Sequence, residues 1–119
     1  IKKTVLELGG SDPFVVLRDA NVEEAARSAA RARIINSGQS CIAAKRFIVV
    51  RDAMREFTEF FLSEISRIRI GDPMDELVEI GPMARSDLRK ELQTQVERSR
   101  KQGARLLCGG EIPIGRDFF

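Results

Sequence analysis

The 119-residue sequence contains no histidine, no tryptophan, no tyrosine and only two cysteines. Without histidine the chain has too few of the ligands that zinc prefers, so no metal site is expected. Two cysteines do not make a disulfide scaffold, and Cys41 and Cys108 are predicted to be free thiols in a reducing cytoplasm. The absence of histidine also means that a cysteine nucleophile in this chain would need a different base.

Neither the charge nor the hydrophobic pattern indicates a nucleic-acid or membrane protein. The 20 basic residues nearly balance 18 acidic ones, leaving a net charge of +2, and the two signs are interleaved. No stretch approaches the roughly 20 consecutive apolar residues that a membrane-spanning helix needs. With 43% hydrophobic and 32% charged residues, the composition is that of one modest globular domain.

Both ends of the sequence are expected to be cut from a longer protein. Ile1 is not an initiator methionine, no signal-peptide pattern follows it, and Phe118-Phe119 is an apolar finish. The 119 residues are therefore interpreted as part of one domain. Such a fragment should expose apolar surface that normally meets the missing part, so self-association is expected.

Hydrophobic periodicity predicts alternating strands and helices. Helices are predicted after a capping box at Asn21, after an N-cap at Asp52, and from Ser86 to Gly103. The second helix carries the strongest periodic signal, an apolar stripe predicted to face the core: Met54, Phe57, Phe61, Ile65 and Ile68. Strands are predicted at residues 4–8, 14–17, 47–50 and 104–108. This order predicts an α/β fold, an open, mostly parallel sheet with helices on its faces.

Ligands of open α/β sheets bind at the carboxyl ends of the strands, which directs attention to Glu7 and to the loop at residues 38–41. Cys41 follows a glycine turn and precedes Lys45 and Arg46, so positive charge and backbone N–H groups could favour its thiolate. The alternative is a small buried apolar side chain, which most free cysteines are. Cys108, by contrast, follows two leucines in a predicted strand and is interpreted as core.

Glu7 is the best candidate for the base that histidine would otherwise supply. It lies between Leu6 and Leu8 in an apolar run, where desolvation would raise the pKa of its carboxyl toward that of a general base. The alternative is a strand residue that faces solvent, and the adjacent apolar residues do not decide between the two.

An ordered series of short motifs resembles the NAD(P)-dependent aldehyde dehydrogenase superfamily over essentially the whole chain. The stretches 9–14 and 41–47 are most similar to its succinate-semialdehyde dehydrogenase branch. The motifs are Glu7-Leu8-Gly9-Gly10, Asp19-Ala20-Asn21, Gly38-Gln39-Ser40-Cys41, Gly71-Asp72-Pro73, Gly81-Pro82, Gly103-Ala104 and Gly109-Gly110.

The resemblance implies roles for individual residues. Cys41 matches the family's nucleophile, its backbone N–H matches one oxyanion-hole donor, Glu7 matches the general base, and Leu8 falls at the cofactor. The implied reaction oxidises an aldehyde, with succinate semialdehyde as one candidate, through a cysteine thiohemiacetal and thioester that water deprotonated by Glu7 hydrolyses. The resemblance implies NAD or NADP as the cofactor and a small aldehyde as the substrate. It also implies that the intact enzyme is a homo-oligomer, with neither nucleic acid nor membrane as a partner.

The resemblance also has gaps. The cofactor-binding domain and the asparagine that completes the oxyanion hole fall upstream of this sequence in the family, so the fragment is expected to bind no cofactor. Ile35 stands where some semialdehyde dehydrogenases place an arginine, and Ala43 stands where some place a second cysteine, which excludes a disulfide switch there. Two alternatives to an active enzyme remain for the chain alone: a non-catalytic α/β fragment, or residual esterase activity through Cys41.

Overall fold

The computed structural model describes residues 2–112, which form two compact units. The first unit runs through Arg67 and the second begins at Ile68. Both candidate site residues, Glu7 and Cys41, belong to the first unit.

The first unit is a β-α-β arrangement followed by a helix. Strand β1 (Pro13–Val16), helix α1 (Val22–Ile34), strand β2 (Arg46–Val49) and helix α2 (Met54–Arg67) follow one another, with short 3-10 turns at Ile35–Gly38 and Arg51–Ala53. The two strands pair in parallel, with Pro13 opposite Arg46. The predicted α/β class with a parallel sheet is therefore confirmed.

Helix α1 begins where its sequence predicts. The Asn21 side chain accepts a hydrogen bond from the Glu24 N–H at 3.1 Å, which satisfies a backbone donor that the helix itself leaves unpaired. Ala26 and Ala29 are completely buried, and α1 packs on α2. Small side chains on this face let the two helices approach closely, as the alanine spacing indicates.

The core of the first unit lies between the sheet and the two helices. Val16, Ala26, Ala29 and Phe57 are its buried members. Phe47 of β2 lies 4.9 Å from Phe61 and 6.3 Å from Phe57, measured between ring centroids. Such spacings are those of favourable aromatic pairs, so the rings fix α2 on the strand.

The apolar stripe predicted for the second helix is correct in its middle and wrong at its ends. Phe57 is 4% exposed and Phe61 packs against the core, whereas Met54 is 45% exposed in the first turn. Ile68 lies beyond the last residue of α2. The predicted N-cap at Asp52 is also wrong, because Asp52 lies in a 3-10 turn and forms an ion pair with Arg18 at 3.1 Å.

The sheet has one covered and one bare face. Val15 and Ile48 are opposite each other in the register, and they are 55% and 51% exposed, because α1 and α2 pack on the other face. Exposed apolar surface of this kind was expected for part of a domain.

The second unit contains one long helix, α3 (Ser86–Lys101). Before it, an isolated parallel bridge joins Ile70 to Ile80, and the Gly71 N–H donates to the Ile80 carbonyl at 3.0 Å. Gly103 follows α3 with a φ of 97°, a conformation that glycine adopts without strain, so the predicted helix stop is confirmed. Within residues 2–112, none of the helices combines the length and the apolar character that crossing a bilayer requires.

Two predicted strands do not form. Residues 4–8 and 104–108 contain no strand, and Val5 and Leu6 are 90% and 72% exposed. A β-strand requires a neighbour to accept its hydrogen bonds, and in the described part of the chain β1 and β2 pair only with each other. The core position predicted for Cys108 is wrong for the same reason, since its thiol is exposed.

Candidate active site

Cys41 and Glu7 approach the same edge of the sheet. Cys41 lies in the loop that leads from α1 to Arg46, the first residue of β2, and Glu7 lies in the segment that leads to Pro13, the first residue of β1. Because the strands are parallel and Pro13 is opposite Arg46, both segments arrive at the amino edge. The carboxyl-edge location expected for the site is therefore wrong for β1 and β2.

Two contacts hold the segments together at this edge. A β-carbon placed on Gly10 would lie 3.4 Å from the carbonyl oxygen of Cys41, so the backbone after Glu7 runs directly against the cysteine loop. The Arg46 guanidinium donates two hydrogen bonds to the Ser11 carbonyl, at 2.9 and 2.8 Å. The expectation that Arg46 would act on the thiolate therefore gives way to a role in fastening the two segments.

The loop enters through an unusual backbone turn. Asn36, Ser37 and Gly38 have φ angles of 50°, 54° and 76°, so three consecutive residues adopt the left-handed conformation. Each non-glycine residue in that region costs about 1–2 kcal/mol. The Gln39 N–H donates to the Asn36 carbonyl at 3.0 Å, which closes the turn.

The loop leaves through two buried alanines. Ala43 is completely buried and Ala44 is 7% exposed, and the Ala44 N–H donates to the Ala32 carbonyl of α1 at 3.0 Å. Cys41, between the turn and this anchor, is exposed. Its thiol is accessible to a substrate, which the alternative of a buried apolar cysteine would not allow. Ala43 also fills the position where the resemblance would place a second cysteine.

Two cations bind the loop's carbonyl oxygens. The Arg33 guanidinium donates through Nη1 to Ala44 at 2.9 Å and through Nη2 to Gly38, and it is half-buried. The Lys45 ammonium donates to Cys41 at 2.8 Å and to Ser40 and Ala43 at 3.2 Å each. The carbonyl oxygens bound by the two cations are those of Gly38, Ser40, Cys41, Ala43 and Ala44.

Sequence reasoning found one of these cations and missed the other. Lys45 is noticeable because it follows the cysteine closely, although it was expected to act on the thiolate and its ammonium instead binds backbone oxygens. Arg33 is missed because it lies in the last turn of α1, where a basic residue is ordinary for a helix end. Its partners become neighbours only after the chain has turned back through residues 36–38.

Glu7 is exposed, so the desolvation expected around its carboxylate is absent from the described part of the chain. Leu8, the residue placed at the cofactor by resemblance, is 70% exposed. Ile35, at the position of the substrate-binding arginine of some relatives, is 43% exposed. All three side chains are thus exposed in the described part of the chain.

The cationic side chains nearest Cys41 already bind backbone carbonyl oxygens. A pyrophosphate requires free cations or unpaired backbone N–H groups. Leu8 can offer only apolar contact to a nicotinamide ring.

Comparison with known proteins places the chain in a family. The profile of the aldehyde dehydrogenase family matches residues 1–118. Succinate semialdehyde dehydrogenase [NAD(P)+] Sad of Escherichia coli is 55% identical over 115 residues, which are 97% of this chain and 25% of that protein. Succinate-semialdehyde dehydrogenase [NADP(+)] of Mycobacterium avium is 46% identical over 119 residues, all of this chain and 25% of that protein.

A solved structure agrees with the sequence comparison. Aldehyde dehydrogenase C of Pseudomonas syringae, a cysteine-to-alanine mutant with NAD+ and octanal, is 32% identical with a TM-score of 0.86, covering 92% of this chain and 23% of that one. The chain thus spans about a quarter of the length of the curated relatives above. On the family profile and these identities, the chain belongs to the aldehyde dehydrogenase family.

Proposed function

We propose that this chain is the segment of a longer NAD(P)-dependent aldehyde dehydrogenase that carries the nucleophile, Cys41, and the general base, Glu7. The intact enzyme oxidises an aldehyde to a carboxylic acid. The observation that supports this most is the convergence of the two residues' segments on one sheet edge, with the Cys41 thiol exposed there.

The first step is attack of the Cys41 Sγ on the aldehyde carbon. A bond forms between sulfur and carbon, and the carbonyl oxygen takes up the electron pair as an oxyanion. The backbone N–H of Cys41 is one donor for that oxyanion, and a preformed donor of this kind typically accounts for about 10²–10³ in rate. Another part of the enzyme supplies the second donor.

Leu8 would contact an oxidised nicotinamide cofactor bound by the intact enzyme, and that cofactor would supply the acceptor for the hydride of the substrate carbon. The Cys41 thioester that remains is hydrolysed by water. Glu7 accepts the proton of that water, and its exposed side chain can be reached by water. Cys41 leaves as the thiolate, ready for the next aldehyde.

Succinate semialdehyde is the proposed substrate, because two close relatives carry that activity in their names. One structural neighbour is a cysteine-to-alanine mutant in complex with NAD+ and the aldehyde octanal, which supports aldehyde chemistry with a nicotinamide cofactor. Ile35 cannot bind a carboxylate, so the substrate's carboxylate must be bound by a residue other than the one at this position.

The test is to replace each cysteine in the full-length protein that contains this segment. Cys41→Ala should lower turnover of succinate semialdehyde at least about 10³-fold, because removing a nucleophile removes the covalent route. Cys108→Ala is the matched control, an exposed thiol in the other unit, and should leave turnover unchanged within about twofold. Full turnover by the Cys41→Ala protein would refute the assignment.

Glu7→Gln tests the base separately. Because the amide cannot accept the water proton, we expect a burst of reduced cofactor in the first turnover and a steady state about 10²–10⁴-fold slower. A steady state equal to wild type would remove Glu7 from the mechanism.

The 119 residues alone are proposed to be inactive and to self-associate. Val5 and Leu6 at the candidate base, and Val15 and Ile48 on the sheet, are exposed apolar residues that the rest of the enzyme would cover. A homo-oligomer in the cytoplasm is proposed for the intact enzyme. Reduced cofactor formed by the purified 119-residue chain, or a monomer at millimolar concentration in light scattering, would contradict this proposal for the fragment.

A further inference from the structure

We propose that Lys45 and Arg33 are positioning residues that aim the backbone N–H of Cys41 at the substrate oxygen. Lys45 orients the peptide planes on either side of the cysteine, and Arg33 closes the loop around them. The inference rests on the proposed function, because the direction of this N–H matters to turnover only if Cys41 is the nucleophile.

The peptide between Ser40 and Cys41 sets the direction of the Cys41 N–H. A peptide bond is planar, and this one is trans, so the Ser40 carbonyl and the Cys41 N–H point in opposite directions. The Lys45 ammonium holds the Ser40 oxygen at 3.2 Å. The Cys41 N–H is therefore turned away from the ammonium and is left available to a ligand.

The same ammonium fixes the next plane as well. Lys45 Nζ lies 2.8 Å from the Cys41 oxygen and 3.2 Å from the Ala43 oxygen. A lysine ammonium has three donor protons, and the three carbonyl oxygens match that number. Rotation of either peptide plane beside Cys41 would break one of these bonds, and hydrogen bonds that involve a charged group are stronger than those between neutral groups.

Arg33 acts on the two flanks of the loop. Its guanidinium is a rigid planar fork, and it bonds Gly38 before the cysteine and Ala44 after it. Arg33 therefore fixes the two ends of the loop, Gly38 and Ala44, relative to each other. Lys45 fixes the peptide planes on either side of Cys41. The half-buried position of Arg33 shields these two bonds from competing water.

The strained entry of the loop explains why it needs such support. Asn36 and Ser37 are held in the left-handed region, which persists only where surrounding contacts over-determine the backbone. Without the two cations, residues 36–41 could relax toward ordinary conformations, and the Cys41 N–H would lose its direction. A misplacement of about 1 Å near a reacting atom can cost about 10²-fold in rate.

The test compares Lys45→Met and Arg33→Met in the full-length protein with Arg31→Met. Arg31 is the matched control, because it is an exposed arginine in the same last turn of α1. For Lys45→Met and Arg33→Met we expect kcat to fall about 10- to 100-fold while KM changes less than about twofold, the pattern of an interaction that acts in the transition state. Arg31→Met should keep both constants.

Hydrogen exchange supplies a readout that does not depend on turnover. The amides of residues 39–44 should exchange about tenfold faster in Lys45→Met and Arg33→Met, while amides in the middle of α1 keep their wild-type rates. Arg33→Lys and Lys45→Arg retain the positive charge, so they still test the proposal if a methionine variant fails to fold. Each should recover part of the lost protection, because charge remains while the donor geometry changes.

Wild-type kcat and unchanged exchange at residues 39–44 in both methionine variants would overturn the proposal. A loss of kcat equal to the loss of folded protein would also overturn it, because that result describes a structural role alone. Failure of the proposed function has a different signature. The Cys41→Ala protein would then keep full turnover, while faster exchange in the methionine variants would still show that the cations hold the loop.

Discussion

Gly10 lies against Cys41: a β-carbon on the glycine would stand 3.4 Å from the cysteine's carbonyl oxygen. Residues far apart in the sequence are thus packed backbone to backbone at the amino edge of a parallel strand pair. This contact brings the segment of the candidate base to the candidate nucleophile without a side chain between them.

Gly38→Ala should destabilise the first unit and loosen the Cys41 loop. Gly38 has a φ of 76°, and an added β-carbon would lie 3.1 Å from Nη2 of Arg33. The left-handed backbone alone should cost about 1–2 kcal/mol. The measurement is the urea midpoint of the full-length protein together with exchange at residues 39–44.

The matched control for this change is Gly9→Ala. Gly9 has open space around the added carbon and lacks a positive φ, so we expect a change within about 0.5 kcal/mol. Equal midpoints for the Gly38 and Gly9 variants would mean that the left-handed turn carries no strain.

Phe57→Ala should unfold the first unit more readily than any surface change on α2. Phe57 is 4% exposed, and its ring lies 5.7 Å from Phe61 and 6.3 Å from Phe47. Removing it leaves a cavity in the core and should cost about 3–5 kcal/mol. Met54→Ala, at a 45% exposed position of the same helix, should cost less than about 1 kcal/mol in the same urea experiment. Similar losses for the two variants would show that α2 does not pack through Phe57.

Asp87 should titrate at a lower pH than an ordinary aspartate. Hydrogen bonds from the Arg85 guanidinium, with distances of 3.0 and 2.5 Å, are the main cause that holds the pKa of Asp87 below its usual value. A carboxyl whose pKa is lowered by folding stabilises the folded state above its unfolded pKa of about 3.9, and that contribution is lost as the pH falls through the lower, folded-state pKa.

The measurement is the ¹³C NMR titration of the Asp87 carboxyl. Arg85→Met should move its midpoint up toward the ordinary value, whereas Lys90→Met should move it less, because Lys90 is the weakest of the charges and hydrogen bonds that lower this pKa. An unchanged midpoint in the Arg85 variant would mean that the ion pair does not persist in solution.

Local signals in the sequence predicted the elements that depend on neighbours along the chain. The Asn21 cap needs only the N–H of Glu24, and the centre of the α2 stripe needs only helical spacing, so both were predicted correctly. The strands at 4–8 and 104–108 were not, because a strand depends on a partner and an apolar run does not specify one. In a segment of a larger fold, the strand that would pair with an apolar run can be supplied by another part of the protein.

The site divides in the same way. Cys41 and Glu7 were proposed from residue type and from an ordered motif series, and the segments that carry them meet at one edge of the sheet. The edge of the sheet was predicted wrongly, since the general rule for open sheets concerns loops that follow strands and the Cys41 loop precedes one. Arg33 was not found, because its hydrogen bonds require a left-handed turn that no single residue type announces.

The exposure of both thiols has a practical consequence for spectroscopy. A maleimide dye added to the protein would label both Cys41 and Cys108, one in each compact unit. The fluorescence of the two labelled sites would then overlap. In a Cys108→Ser variant, the proposed nucleophile Cys41 is the single labelling site. If an aldehyde reacts at Cys41 as proposed, it should slow labelling of that thiol, so the labelling rate in this variant would measure aldehyde binding.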